Sequence, residues 1–143
     1  MFTIGLSKKE GICHCGCGKG YLSFIVLLGY TLLRIIYGKP LRVSGYRCVK
    51  HNRKVKGSPN SQHTKGNALD IGVPKGYTVE TWAAYCKPFF PRILTGYVHP
   101  DSGEYISYST HIHADAKGFV LSISNIGNYV MEIVLQFMKW RKV

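Results

Sequence analysis

Apolar positions follow different periods in successive parts of the chain. From Leu22 to Ile36 they are nearly continuous, and Leu22, Ile25, Val26, Leu32, Leu33 and Ile36 recur at helical spacing. That pattern predicts a helix with one face in the core, ended by Gly38 and Pro40. Its unbroken apolar part falls short of the roughly 20 residues that cross a bilayer, and Gly29 and Arg34 interrupt it. The expectation is a buried helix and no membrane span. Lys8, Lys9 and Glu10 lead into a glycine and cysteine segment instead of an apolar run, and no small-residue cleavage site follows. A signal peptide is therefore not expected.

After this helix the period shortens. Leu41 to Val43 reads as a short strand, and Arg47 to Asn60 as a polar, basic loop closing on Gly57, Ser58, Pro59 and Asn60. Ala68 to Val73 suits a strand that stops at the Pro74-Lys-Gly76 turn. Thr78, with Thr81 at the box position, predicts a capped helix from Val79 to Cys86. Ile93 to His99, Glu104 to Tyr108 and His111 to Ala116 are expected strands, the first two parted by the Pro100-Asp-Ser-Gly103 turn. Asn125 to Trp140 can form a helix with Ile126, Val130, Ile133, Val134 and Phe137 inward, although its β-branched content also permits a strand. Together these elements predict one α+β domain over residues 1–143, with a central antiparallel sheet flanked by helices.

A chain of 143 residues with 45% hydrophobic content can bury one real core and divides poorly into two. Its 19 basic against seven acidic side chains, a formal net charge of +12, predict attraction to a polyanion. Nucleic acid and an anionic bacterial wall both qualify. No recognisable nucleic-acid module accompanies the charge, which speaks against the first. Five cysteines make an odd count, so one thiol at least stays unpaired in a monomer. Cys13, Cys15 and Cys17 alternate with His14 and Gly16, tighter than C-x2-C spacing. They read either as free thiols or as a local metal clip with His14, while Cys48 and Cys86 read as plain buried side chains.

The chemistry concentrates in Ser61-Gln-His63-Thr-Lys-Gly66-Asn-Ala68-Leu-Asp70 and His111-Ile-His113-Ala-Asp115. Two imidazoles and a carboxylate are the donors a catalytic zinc needs if a fourth position stays open. His63, Asp70 and His113 are the expected ligands, Asp70 on a strand and His63 on the loop before it. Side chains on a strand alternate, so His111 shares the face of His113, either supporting the ligands from behind or acting as a transition-state donor. Asp115, on the same face, either locks a ligating imidazole or takes the proton of the attacking water, with Glu104 and Asp101 as competing acids. Gly66 is expected where a side chain would obstruct the backbone. Ser61 and Gln62 can orient His63 or bind substrate, and Arg47 can fork onto a substrate carboxylate or an oxyanion.

The segment from Ser61 to Asp70 matches S-x-H-x-x-G-x-A-x-D without a gap and so resembles the zinc D-Ala-D-Ala carboxypeptidases of peptidase family M15. Cys13-His-Cys15-Gly-Cys17-Gly, Lys39-Pro40-Leu-Arg-Val43-Ser44-Gly45-Tyr46-Arg47 before Asn52, and the closing His113-Ala-Asp115 are similar to a small branch of that family found in bacteria and their phages. The likeness spans roughly Leu6 to Gly118, and His111-Ile-His113 also resembles the H-x-H of hedgehog signalling domains. Where many members carry an acid three residues before the last ligand, this chain has Thr110.

The resemblance implies a Zn2+ metallopeptidase that cuts amide bonds in peptidoglycan stem peptides or cross-links, as a carboxypeptidase or endopeptidase. It further implies a monomeric, endolysin-like, phage-encoded protein, held in the host cytoplasm before lysis or associated with the virion. A reading from a different class is a non-catalytic basic module binding the cell wall or nucleic acid, supported by the charge and by basic runs such as Lys50-His51-Asn-Arg53-Lys54.

Overall fold

A computed structural model describes residues 8–119 and 123–140. In chain order the helices are α1 (Lys8–Gly11), α2 (Phe24–Tyr37), α3 (Val49–Lys54), α4 (Val79–Cys86) and α5 (Ile123–Trp140). The strands are β1 (Val43–Ser44), β2 (Ala68–Gly72), β3 (Arg92–Leu94), β4 (Gly96–Val98), β5 (Tyr105–Ser107) and β6 (His111–Asp115). A 3-10 turn, Gln62–Lys65, precedes β2.

Four strands form one antiparallel sheet in the order β1-β2-β6-β3, and β4 pairs with β5 in a separate hairpin. The alternation of side chains along β2 and β6 separates two chemistries. Leu69 and Ile71 lie opposite Ala114 and Ile112, and all four are fully buried. This apolar face packs on Ile25, Val26, Tyr30 and Leu33 of α2, on Trp82 and Cys86 of α4, and on Phe89. Asp70 and His113, also directly opposite each other, sit on the other face and are only partly buried. The sheet is thus a partition between an oily layer and a polar one. The architecture is the expected α+β arrangement with a central antiparallel sheet and helices against it.

Local chemistry accounts for the helix ends. Gly38, at φ 71°, closes α2 with its N–H on the Arg34 carbonyl. Thr78 and Thr81 form the reciprocal box that starts α4, with each side chain accepting from the other residue's backbone N–H. No helix among the described residues is long and apolar enough to cross a membrane.

Three local expectations are corrected. The polar stretch after Arg47 contains α3, started by the Cys48 side chain accepting from the His51 N–H and finished with His51, Arg53 and Lys54 in its last turn. Among its residues Asn52 alone is buried, so there was no apolar period to read. The run from Ile93 to His99 is two strands, because Thr95 breaks it and sends β4 into the hairpin. In α5 the inward side chains are Tyr129 and Ile133, while Ile126, Val130 and Val134 are exposed; the side chain of Phe137 lies outside the described ones. Tyr129 sets this orientation, since its hydroxyl donates to the Phe89 carbonyl.

The two-faced sheet predicts unequal costs of substitution. Ile112→Ala should lower unfolding free energy by about 2–5 kcal/mol in urea titrations, whereas His111→Ala, on the polar face, should cost well under half of that. Equal losses would contradict the partition.

Candidate metal centre

The register of β2 against β6 places Asp70 beside His113, and the 3-10 turn brings His63 over them. Asp70 Oδ1 stands 3.1 Å from His63 Nε2 and 3.0 Å from His113 Nδ1, and the two imidazole nitrogens are 3.2 Å apart. A tetrahedral zinc with bonds of about 2.0–2.1 Å has ligand–ligand edges of about 3.3 Å. The three donors therefore already form one face of such a tetrahedron. His63 is almost wholly buried, but Asp70 keeps 21% and His113 12% of side-chain exposure, so the triangle opens to solvent on one side. Two neutral imidazoles and one carboxylate suit zinc, and the donor set fits that metal.

Each imidazole is also held in the tautomer a ligand requires. His63 Nδ1–H donates to the Gly45 carbonyl at 2.7 Å, which leaves the Nε2 lone pair for the centre. His113 does the reverse: its Nε2–H donates to Asp115 Oδ2 at 2.9 Å and its Nδ1 faces the centre. Asp115 is fully buried. Arg92, its cross-strand partner on β3, forks onto both carboxylate oxygens, and the Lys117 N–H donates to Oδ1 at 2.9 Å. Burial alone would raise the Asp115 pKa, yet these donors hold it well below the usual carboxylate range. Asp70 is likewise depressed, because the imidazoles beside it outweigh its burial. Burial pulls His113 down, but Asp115 and Asp70 raise it to about 9 in the metal-free protein. A metal bound there displaces a proton.

Asp115 is held among its own donors. Both of its oxygens are engaged behind His113, across the imidazole ring from the triangle. Arg47 lies at the rim, with Nη2 3.6 Å from Asp70 Oδ2 and Nη1 donating to Asn52 Oδ1. Asn52 is braced in turn by the Ser58 carbonyl, to which its Nδ2 donates at 2.8 Å. His111 shares the face of His113, stacks on Tyr108 with ring centroids 4.4 Å apart, and is shifted down by burial, toward the neutral imidazole. Ser61 caps the 3-10 turn by accepting from the His63 N–H. Gln62 accepts from the side-chain and backbone N–H groups of Asn67. Both hold the His63 turn in shape.

The fold does not bring Glu104 or Asp101 into the metal-binding group. Glu104 is exposed, its backbone closing the turn between β4 and β5, and the Asp101 N–H caps His99. Gly66 meets the close-approach expectation. At φ 65° its missing Cβ would lie 2.4 Å from the Tyr21 carbonyl oxygen, so the segment before α2 can run directly over the turn. Arg92 and Asn52 were not legible as site residues. Arg92 becomes one only through its pairing with Asp115, and Asn52 only through the short helix α3.

The family model described as Peptidase M15 matches residues 5–115, a span that ends on Asp115. No curated protein and no solved structure matches the chain.

Removing a donor and removing its brace should differ in degree. His63→Ala should abolish stoichiometric zinc binding at this centre, while Asp115→Asn should weaken it by about 10–100-fold in a competitive chelator titration. Unchanged affinity in Asp115→Asn would show that the brace does not act on the metal.

Proposed function

The chain belongs to the M15 peptidase family, and from that premise we propose that it hydrolyses amide bonds in peptidoglycan stem peptides or their cross-links, with zinc held by His63, Asp70 and His113. The observation that carries this reading is the triangle of donors with edges of 3.0–3.2 Å, open on one side. The metal supplies Lewis acidity, polarising a carbonyl and making water nucleophilic near neutral pH.

Arg47 is the group we assign to a substrate carboxylate or the developing oxyanion. A guanidinium carries five N–H donors, and with Asn52 and Asp70 fixing its orientation the remainder can serve a ligand. Asp115 orients His113. With both Asp115 oxygens committed and Glu104 out in a turn, His111 is the candidate to carry the proton from the attacking water to the leaving amine. Its support is position: it lies two residues from His113 on the same strand face and directly follows Thr110, which cannot serve as an acid. Ser61 and Gln62 act by shaping the His63 turn.

The net charge of +12 supports adsorption to an anionic wall. The likeness of the motifs to the bacterial and phage branch supports a lysis enzyme that acts as a monomer on the wall.

Digestion of purified peptidoglycan with and without chelator, followed by mass identification of the products, tests the reading. New free amines should appear, vanish with chelator and return with zinc. A zinc-loaded protein that releases no amine from any wall peptide would end the assignment, and tight polynucleotide binding by the same inactive protein would favour a basic binding module. Arg47→Lys keeps the charge and loses the fork, and should lower kcat/KM by about 10²-fold with metal content unchanged.

A further inference from the structure

The cysteines absent from that chemistry are not scattered. Cys13, Cys15 and Cys17 lie on the turn after α1, and Cys48 comes from the start of α3, more than thirty residues along the chain. Folding brings all four sulfurs within 4.8 Å of one another. Cys15 Sγ stands 3.4 Å from Cys13 Sγ and 3.6 Å from Cys48 Sγ. These separations far exceed a disulfide bond of about 2.05 Å, and the four thiols are free. They approach the edge of about 3.8 Å expected between thiolates on a tetrahedral zinc with bonds of about 2.3 Å.

The surroundings suit anionic sulfur. The backbone N–H of Cys48 donates to Cys13 Sγ at 3.3 Å, and that of His51 donates to Cys48 Sγ at 3.4 Å. Backbone N–H groups aimed at ligating sulfurs stabilise the charge that a metal-bound thiolate carries. His51 Nδ1 stands 3.2 Å from Cys13 Sγ and can add a further donor. The turn is itself shaped for convergence: Gly16 and Gly18, which follow Cys15 and Cys17, both have positive φ, and the Cys13 N–H closes on the Lys19 carbonyl at 2.7 Å. His14, the expected fourth partner of the clip, is exposed and outside the group.

We propose that Cys13, Cys15, Cys17 and Cys48 form a second, structural metal centre, closed by four thiolates and selective for zinc or a similarly thiophilic divalent ion. Thiolate ligands favour such ions over magnesium or calcium, and four protein donors leave no position for substrate. Its place in the fold gives it a task. It staples the segment after α1 to the residue following Arg47, and the same loop supplies the Gly45 carbonyl that orients His63. The second centre therefore holds the loop that positions two parts of the first.

Cobalt spectroscopy on the full chain separates the two sites. His63→Ala, which lacks the open centre, should still bind one equivalent of Co2+ and show sulfur-to-cobalt charge-transfer absorption. Cys17→Ser, altered at an exposed ligand, should lose that absorption, and Cys86→Ser, altered at a buried core thiol, should keep it. Native protein made in zinc should contain two equivalents, and its four clustered thiols should react with a thiol reagent only after chelation. Absence of the charge-transfer band from reduced His63→Ala protein would overturn the proposal even if Cys17→Ser fails to fold. So would disulfides among these four cysteines in the native protein. Either result would leave the hydrolase reading standing, because that reading depends on His63.

Discussion

The pairing of β2 with β6 is the constraint on which the molecule turns. Asp70 faces His113 across an antiparallel ladder while Leu69 and Ile71 face Ala114 and Ile112. A slip of one residue would move every side chain to the opposite face. It would carry the donors into the oily layer beneath α2 and push the apolar pairs outward. The hydrophobic burial that stabilises the sheet thus also sets the spacing of the candidate metal donors. The site requires no separate folding force to bring Asp70 and His113 together.

Around that pair, positioning proceeds outward by hydrogen bonds. Arg92 and Lys117 fix Asp115, Asp115 fixes the ring of His113, and the Gly45 carbonyl fixes the ring of His63. A buried carboxylate is costly unless its oxygens are satisfied. Here Arg92 and Lys117 satisfy Asp115, and Asp115 in turn selects the tautomer of His113. The loop from Gly45 to Cys48 links these features, since it touches His63, carries Arg47 and ends in the cysteine cluster.

Legibility along the chain followed the physics of each segment. The apolar helix before Gly38 and the threonine box of α4 were readable because periodicity and capping are local. Helix α3 was not, being short and polar with Asn52 as its one buried side chain. The inward side of α5 was not legible because Ile126, Val130, Ile133 and Val134 share one stripe that reads as buried, whereas the contact of Tyr129 with Phe89 turns the Tyr129 and Ile133 edge of that stripe inward. At the centre, the donors His63, Asp70 and His113 were identifiable from residue type and spacing, and the geometry brings them together. Arg92 was hidden because a cross-strand neighbour has no fixed sequence separation.

By itself, then, the sequence determined which side chains carry donor chemistry, where two of the helices begin or end, and which strand positions alternate between apolar and polar. These are properties of residue type and of neighbours a few positions apart. The tertiary structure alone decided that Arg92 takes up the oxygens of Asp115 from a neighbouring strand, that Glu104 lies outside the donor group, and that Cys48 and not His14 joins the sulfur cluster. Each of those outcomes depends on distances between segments far apart in the chain. Such distances arise from strand register and core packing, which no local pattern encodes.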